Sequence, residues 1–227
     1  MNAKGFTHMK KNTSPVEPLA LGIEIGGTKI QVGIGSTSGK LIPGGIIQSQ
    51  VVRENGAEGI RRDIISMTEE LLAFKRFELS SISRIGIGFG GILDTKSGII
   101  LKSYQIDGWN NFPLKAWAET QWRRPVFVQN DASTAGLAES LCGAGRGRSR
   151  VFYITIGSGI GGGWIVDGKV DNGQGSGAAE IGHTWVPDPV SGMPVELEHV
   201  CSGWSIGRRA RSAASNTSTL MTEFAGT

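Results

Sequence analysis

Cysteine is nearly missing: Cys142 and Cys201 are the only two in 227 residues. That excludes a disulfide framework and any cysteine-rich zinc site. Long hydrophobic runs are missing as well, and no stretch approaches the roughly 20 apolar residues that a membrane-spanning helix needs. Neither charge sign dominates, since 23 Lys+Arg against 20 Asp+Glu leave a net charge of +3. Spread over this length, +3 makes no electrostatic footprint for nucleic acid. The first 18 residues carry Lys4, Lys10, Lys11, Pro15 and Pro18 but no apolar core of a signal peptide. They are expected to form a tail on a cytoplasmic protein, with no helical pattern that could begin a helix-turn-helix. What the chain has in excess is glycine, 35 of 227 residues, about twice average usage and without a collagen-like period. In a globular chain, which 39% hydrophobic residues imply, such glycine marks tight turns and backbone pressed close to something.

The apolar pattern alternates between strand and helix periods. Leu19, Leu21, Ile23 and Ile25, then Ile30, Val32 and Ile34, alternate with period two around Gly26-Gly27-Thr28-Lys29. This predicts a hairpin with one buried face. A third strand is expected over Ile46–Val52. Ile60, Ile64, Met67, Leu71 and Phe74 form a helical stripe. A strand over Ile85–Phe89 leads into a loop, Gly90 to Asp94, then a helix over 112–122 and a strand over Val126–Gln129. Ala132–Leu141 reads as a helix, followed by a Gly/Arg connector whose Arg146, Arg148 and Arg150 are better read as solvated than as an anion grip. A second hairpin, Val151–Ile156 with Gly163–Val166, is expected about a turn at 157–162, and a helix over 196–213. The class is α/β, with a tail at 1–18, one lobe over 19–129 and a second over 130–227.

Four groups of residues carry chemistry. Glu24 shares a strand face with Gly22, away from the isoleucines, and bare N–H groups at Gly26 and Gly27 with Thr28 and Lys29 could hold phosphate. An empty tight hairpin explains the same residues. The second turn, Gly157-Ser158-Gly159, belongs to a run with five glycines in the seven residues 157–163; it fits neither a Walker loop nor a dinucleotide fingerprint. Close approach to a ligand is the favoured reading there. Asp131, after Asn130, reads by itself as an N-cap, although a carboxylate fixed at a strand end can also accept a hydroxyl proton. Glu180, His183 and Glu198 could grip sugar hydroxyls or a metal ion, or His183 could be an ordinary surface histidine.

Taken in order, these motifs resemble the ROK family of sugar kinases, in the actin-like ATPase superfamily, from about Leu19 to Ile206. Glu24–Lys29 is similar to the family's Asp-x-Gly-Gly-Thr-Lys motif, Gly88–Gly91 to its sugar loop, and Asn130 to Glu139 to its catalytic segment. Thr155–Gly163 resembles the second phosphate motif, Gly177–His183 the Gly-Glu-Ile-Gly-His segment, and Leu197-Glu198 the end of Cys-Leu-Glu. The resemblance implies a two-lobed fold and transfer of a phosphoryl group from ATP to a hexose or N-acetylhexosamine. Asp131 would be the general base. Gly91, Ser103, Tyr104, Asn130, Glu180, His183 and Glu198 would hold the sugar. Gly26, Gly27, Thr28, Lys29, Gly157, Ser158 and Gly159 would hold the nucleotide, with Mg2+ held by Glu24 through water. A homodimer is compatible with the resemblance; nucleic-acid and membrane partners are not expected.

The sequence departs from the family at several points. Glu24 replaces the usual Asp, and Gly90 stands where many members have proline. The family's Cys-x-Cys-Gly-x-x-Gly-Cys zinc loop is missing, because no cysteine lies between His183 and Glu198; no structural zinc is expected. The family's further glycine motif and closing helix find no counterpart before Thr227, which reads as a fragment or as a truncated product. A sugar-sensing regulator, an inactive sugar-binding remnant and polyphosphate as donor are the competing readings.

Overall fold

The computed structural model describes residues 17–103, 105–174 and 178–212. Most of the expected tail, Tyr104, Gly175 to Gly177 and the end of the expected 196–213 helix therefore lie outside the described residues.

Strands β1 (Leu19–Ile25) and β2 (Lys29–Ser36) form the expected hairpin, with Ile23 opposite Val32. Their inward residues Leu21, Ile23, Ile25, Ile30, Val32 and Ile34 are all buried. Strand β3 (Leu41–Gln50) lies antiparallel on β2 and starts five residues before the expected Ile46, because a bulge between Gly33 and Gly35 extends the pairing back to Leu41. Pro43 and Gly44 disguise that start as a loop, and an edge strand tolerates both. Helix α1 (Gly56–Lys75) buries Ile60, Ile64, Met67 and Leu71 as the stripe predicts. Phe74 departs from the expectation: it is 72% exposed in the last turn, with the Lys75 ammonium 4.8 Å from its ring centroid.

Strand β4 (Ile82–Phe89) runs parallel to β1. The expected loop at 90–94 instead contains β5 (Ile92–Asp94), which pairs with β6 (Ile99–Lys102). Helix α2 (Leu114–Trp122) precedes β7 (Val126–Asn130), parallel to β4, and completes a five-stranded sheet in the order β3-β2-β1-β4-β7. An aromatic chain fills this core. Phe89, Trp109, Phe112, Trp117 and Trp122 meet with ring centroids 5.3, 5.3, 6.3 and 5.5 Å apart, mostly edge-on, as aromatic quadrupoles prefer.

Helix α3 (Asp131–Cys142) follows β7 directly and packs on β8 (Arg150–Ile156) and β9 (Ile160–Val166), which with β10 (Lys169–Val170) form a second sheet. The hairpin turn is shorter than expected. Ile160 to Gly162 already belong to β9, so only Gly157 to Gly159 form the turn. Residues 184–197 also hold more than a loop: β11 (Trp185–Pro187) and β12 (Pro194–Glu196) form a hairpin that enters α4 (Leu197–Cys201). The chain breaks at Ser202 and is helical again over 203–212. Among the described residues no helix is long and apolar enough to cross a membrane.

Candidate active site

The site collects residues from the C-terminal ends of β1, β4 and β7, the start of α3, and the segments after β10. At the first turn, the Gly26 N–H donates to the Lys29 carbonyl (3.1 Å), and the Lys29 ammonium lies 3.5 Å from the Glu24 carboxylate. Gly27 has no room for a side chain, since the Gln105 side chain occupies the place where a Cβ would stand. The Gln105 Oε1 is buried there without a hydrogen-bond partner. Sequence reading missed Gln105, because nothing local ties it to a turn 78 positions earlier in the chain. Thr28 is exposed.

The cap of α3 overturns the simplest reading of Asp131. Asn130 is the N-cap: its Oδ1 accepts from the Ser133 N–H at 3.0 Å. Its Nδ2 donates to the Gly91 carbonyl at 3.5 Å, which brings Asn130 and Gly91 together. Asp131 is thereby left as the first helical residue, with Oδ1 accepting from its neighbour Ala132 N–H at 2.8 Å. Gly88 and Gly90 make space for it; a Cβ on Gly90 would stand 3.2 Å from Asp131 Oδ2. The Gly90 N–H also donates to the Ile25 carbonyl (2.9 Å), a bond that a proline at this position could not make. Burial raises the Asp131 pKa above its ordinary value; the Ala132 N–H opposes this and the Glu24 charge adds to it.

At the second turn, the Gly157 N–H donates to the Gly159 carbonyl at 2.9 Å. Glu198 fixes the same turn from outside, its Oε2 accepting from the Ile160 N–H at 2.7 Å. The Gly203 N–H donates to the Gly157 carbonyl at 2.8 Å, so the break after α4 is tied to the turn as well. Not all the glycines here serve a ligand. A Cβ on Gly163 would lie 2.9 Å from Ser133 Cα, and one on Gly161 3.0 Å from Ala132 Cβ, so close packing against α3 accounts for both. Gly157 alone of the five has open space beside it.

Glu180 is half-buried, and burial raises its pKa; the His183 charge opposes that shift, while the Asp131 and Glu198 charges add to it. Glu180 therefore lies within electrostatic range of His183, Asp131 and Glu198. The exposed His183 ring pairs through Nδ1 with Glu196 Oε2 at 3.2 Å, a partner that sequence reading missed. Ser103 is used internally, its Oγ accepting from the Ile106 N–H at 3.3 Å. A groove of about 860 Å³ runs past Glu24, Lys29, Asp131 and Thr155. A second cavity of about 270 Å³ is bounded by Gly91, Asn130, Ser133 and Glu180. The two hollows meet at the β7–α3 junction, although neither is lined by His183 or Glu198. Among the described residues the donor set around His183 does not fit zinc: His183 pairs with Glu196, and no cluster of three or more His, Cys, Asp or Glu side chains is present. A carboxylate at the rim of the first turn, as Glu24 is, does fit a magnesium ion held through water.

The sequence profile of the ROK family matches residues 20–223. The chain belongs to the ROK family. A glucokinase from Halalkalibacterium halodurans is 33% identical over 196 residues, covering 84% of this chain and 58% of the relative. A ROK family glucokinase from Streptomyces griseus, solved in complex with glucose and AMPPNP, superposes with a TM-score of 0.75 at 33% identity, covering 88% of this chain and 62% of that one. An inorganic polyphosphate/ATP-glucomannokinase from an Arthrobacter species gives 0.70 at 31% identity, over 86% of this chain and 72% of that one. The fold of this ROK chain is thus the actin-like ATPase fold of its structural neighbours. The chain spans about three-fifths of the length of the glucokinases it matches.

Proposed function

We propose that the protein is a sugar kinase that transfers a phosphoryl group from ATP to a hydroxyl of a hexose or N-acetylhexosamine. The observation that carries this reading is Asp131: a carboxylate released from capping by Asn130, opposite Glu24, with its pKa raised by burial. A base must be ionised yet basic enough to take a proton, and a raised carboxylate pKa moves it toward that optimum.

In this reading Asp131 accepts the proton of the attacking sugar hydroxyl, most often the 6-hydroxyl. Asn130, Glu180, His183 and Glu198 hold the ring, with Gly91 closing the pocket. The N–H groups of the turns at 26–28 and 157–159 hold phosphate oxygens, with Lys29 adding a cation. Glu24 would hold a magnesium ion, which would supply positive charge beside the phosphates. Glu198 joins the two halves, since the side chain proposed for the sugar also fixes the second phosphate turn. Catalysis of this kind is mostly positioning and charge stabilisation.

The glucokinases and the glucose- and AMPPNP-bound neighbour support sugar and ATP as the partners. The polyphosphate/ATP enzyme among the neighbours makes polyphosphate the donor to test beside ATP. The test is a coupled ADP-release assay with magnesium-ATP and a panel of hexoses and N-acetylhexosamines. Asp131→Asn should lower kcat by at least about a hundredfold while sugar affinity stays within a few-fold. Retained turnover would remove Asp131 as the base.

A further inference from the structure

The imidazole of His183 is exposed at the end of a 3-10 turn over Ile181–His183, yet its ring is held. The β11–β12 register places Trp185 opposite Glu196 and Val186 opposite Val195. The Leu197 N–H extends the ladder by donating to the Thr184 carbonyl at 2.8 Å. This hairpin carries the chain away from His183 and returns it 13 residues later with Glu196 beside the ring, Oε2 at 3.2 Å from Nδ1. Glu196 is less open than the histidine, its side chain 30% exposed against 54%.

We infer that Glu196 is a positioning residue that sets the tautomer of His183. An ionised carboxylate can only accept, so Nδ1 must carry the proton of the neutral ring, and Nε2 becomes a bare acceptor. Among the described residues Nε2 has no hydrogen-bond partner. His183 therefore presents to the site a neutral acceptor for a substrate O–H. The inference rests on the sugar-binding reading of His183. It gives the β11–β12 hairpin, which replaces the family's cysteine loop, a role that needs no metal: Glu196 does not touch the substrate and acts only through the imidazole.

The test is long-range 15N–1H NMR on the histidine-labelled protein at about pH 8, where an ordinary imidazole is neutral. The sequence has three histidines, so His183→Asn assigns the signal. Wild type should show the Nδ1–H form. Glu196→Gln, whose amide oxygen still accepts, should keep it, and Glu196→Ala should revert to the Nε2–H form that an unconstrained imidazole favours. With magnesium-ATP and D-glucose as probe, Glu196→Ala should raise KM about tenfold, with kcat within about threefold and most of the loss rescued by Glu196→Gln. An Nε2–H ring in wild type, or an unchanged tautomer in Glu196→Ala, would overturn the inference. So would an unchanged KM in Glu196→Ala beside an impaired His183→Asn. Unchanged KM in both variants, with the tautomer switch intact, would instead sink the sugar-binding reading of His183.

Discussion

Asn130 and Asp131 are adjacent and chemically alike, yet they do different work. Asn130 satisfies an open N–H at the start of α3, and by doing so leaves the Asp131 carboxylate with one local bond. Substituting Asn130 by Ala should cost about 1 kcal/mol of stability, the usual value of an N-cap, while Asn130→Asp should restore most of it. Urea unfolding of the three proteins checks this, and equal midpoints would show that the cap is idle. The sequence marked both residues but read Asp131 as the cap, since Asn and Asp cap about equally well. The 3.0 Å bond from Ser133 decides it.

The second glycine hairpin holds its glycines in two different surroundings. Gly163 faces the backbone of α3 at 2.9–3.0 Å, whereas Gly157 faces open space. Gly163→Ala should destabilise by about 1–3 kcal/mol, as overpacking does. Gly157→Ala should leave the melting temperature almost unchanged and weaken nucleotide binding, read by titration with AMPPNP. The reverse pattern would move the phosphate role away from Gly157. Five glycines in a row of seven read alike in sequence, because a helix pressing on a strand and a phosphate pressing on a turn make the same demand for a missing side chain.

At the scale of the molecule, Glu24 of β1, Asp131 of α3, Glu180 and Glu198 converge from positions far apart in the chain, and Asp131 and Glu180 are raised above their ordinary pKa values. The unfolded chain ionises both groups at lower pH than the folded one, so the folded state binds more protons in between. Their contribution is therefore complete below the ordinary carboxylate pKa and is lost as pH rises through the raised values. Asp131→Asn with Glu180→Gln should flatten this part of the stability–pH curve. The double variant should also raise the melting temperature at pH 8 by about 2–4 °C, the equivalent of roughly 1 kcal/mol. A gain of the same size at pH 3, where both groups are protonated, would show that charge burial is not the cause.

The sequence by itself determined the β1–β2 hairpin, the α1 stripe from Ile60 to Leu71 and the α/β class, because periodicity is a local consequence of which face is buried. It also carried the two glycine turns and the order of motifs over the residues that the ROK profile matches. Tertiary structure alone decided the rest. The early start of β3 depends on a bulge in its partner strand, the exposure of Phe74 on what the last turn of α1 meets, and the cover over Gly27 on Gln105 arriving from the segment between β6 and α2. The pairing of His183 with Glu196 depends on a hairpin whose register no single strand encodes. Burial, which raises the Asp131 pKa, belongs to no residue until its neighbours are in place.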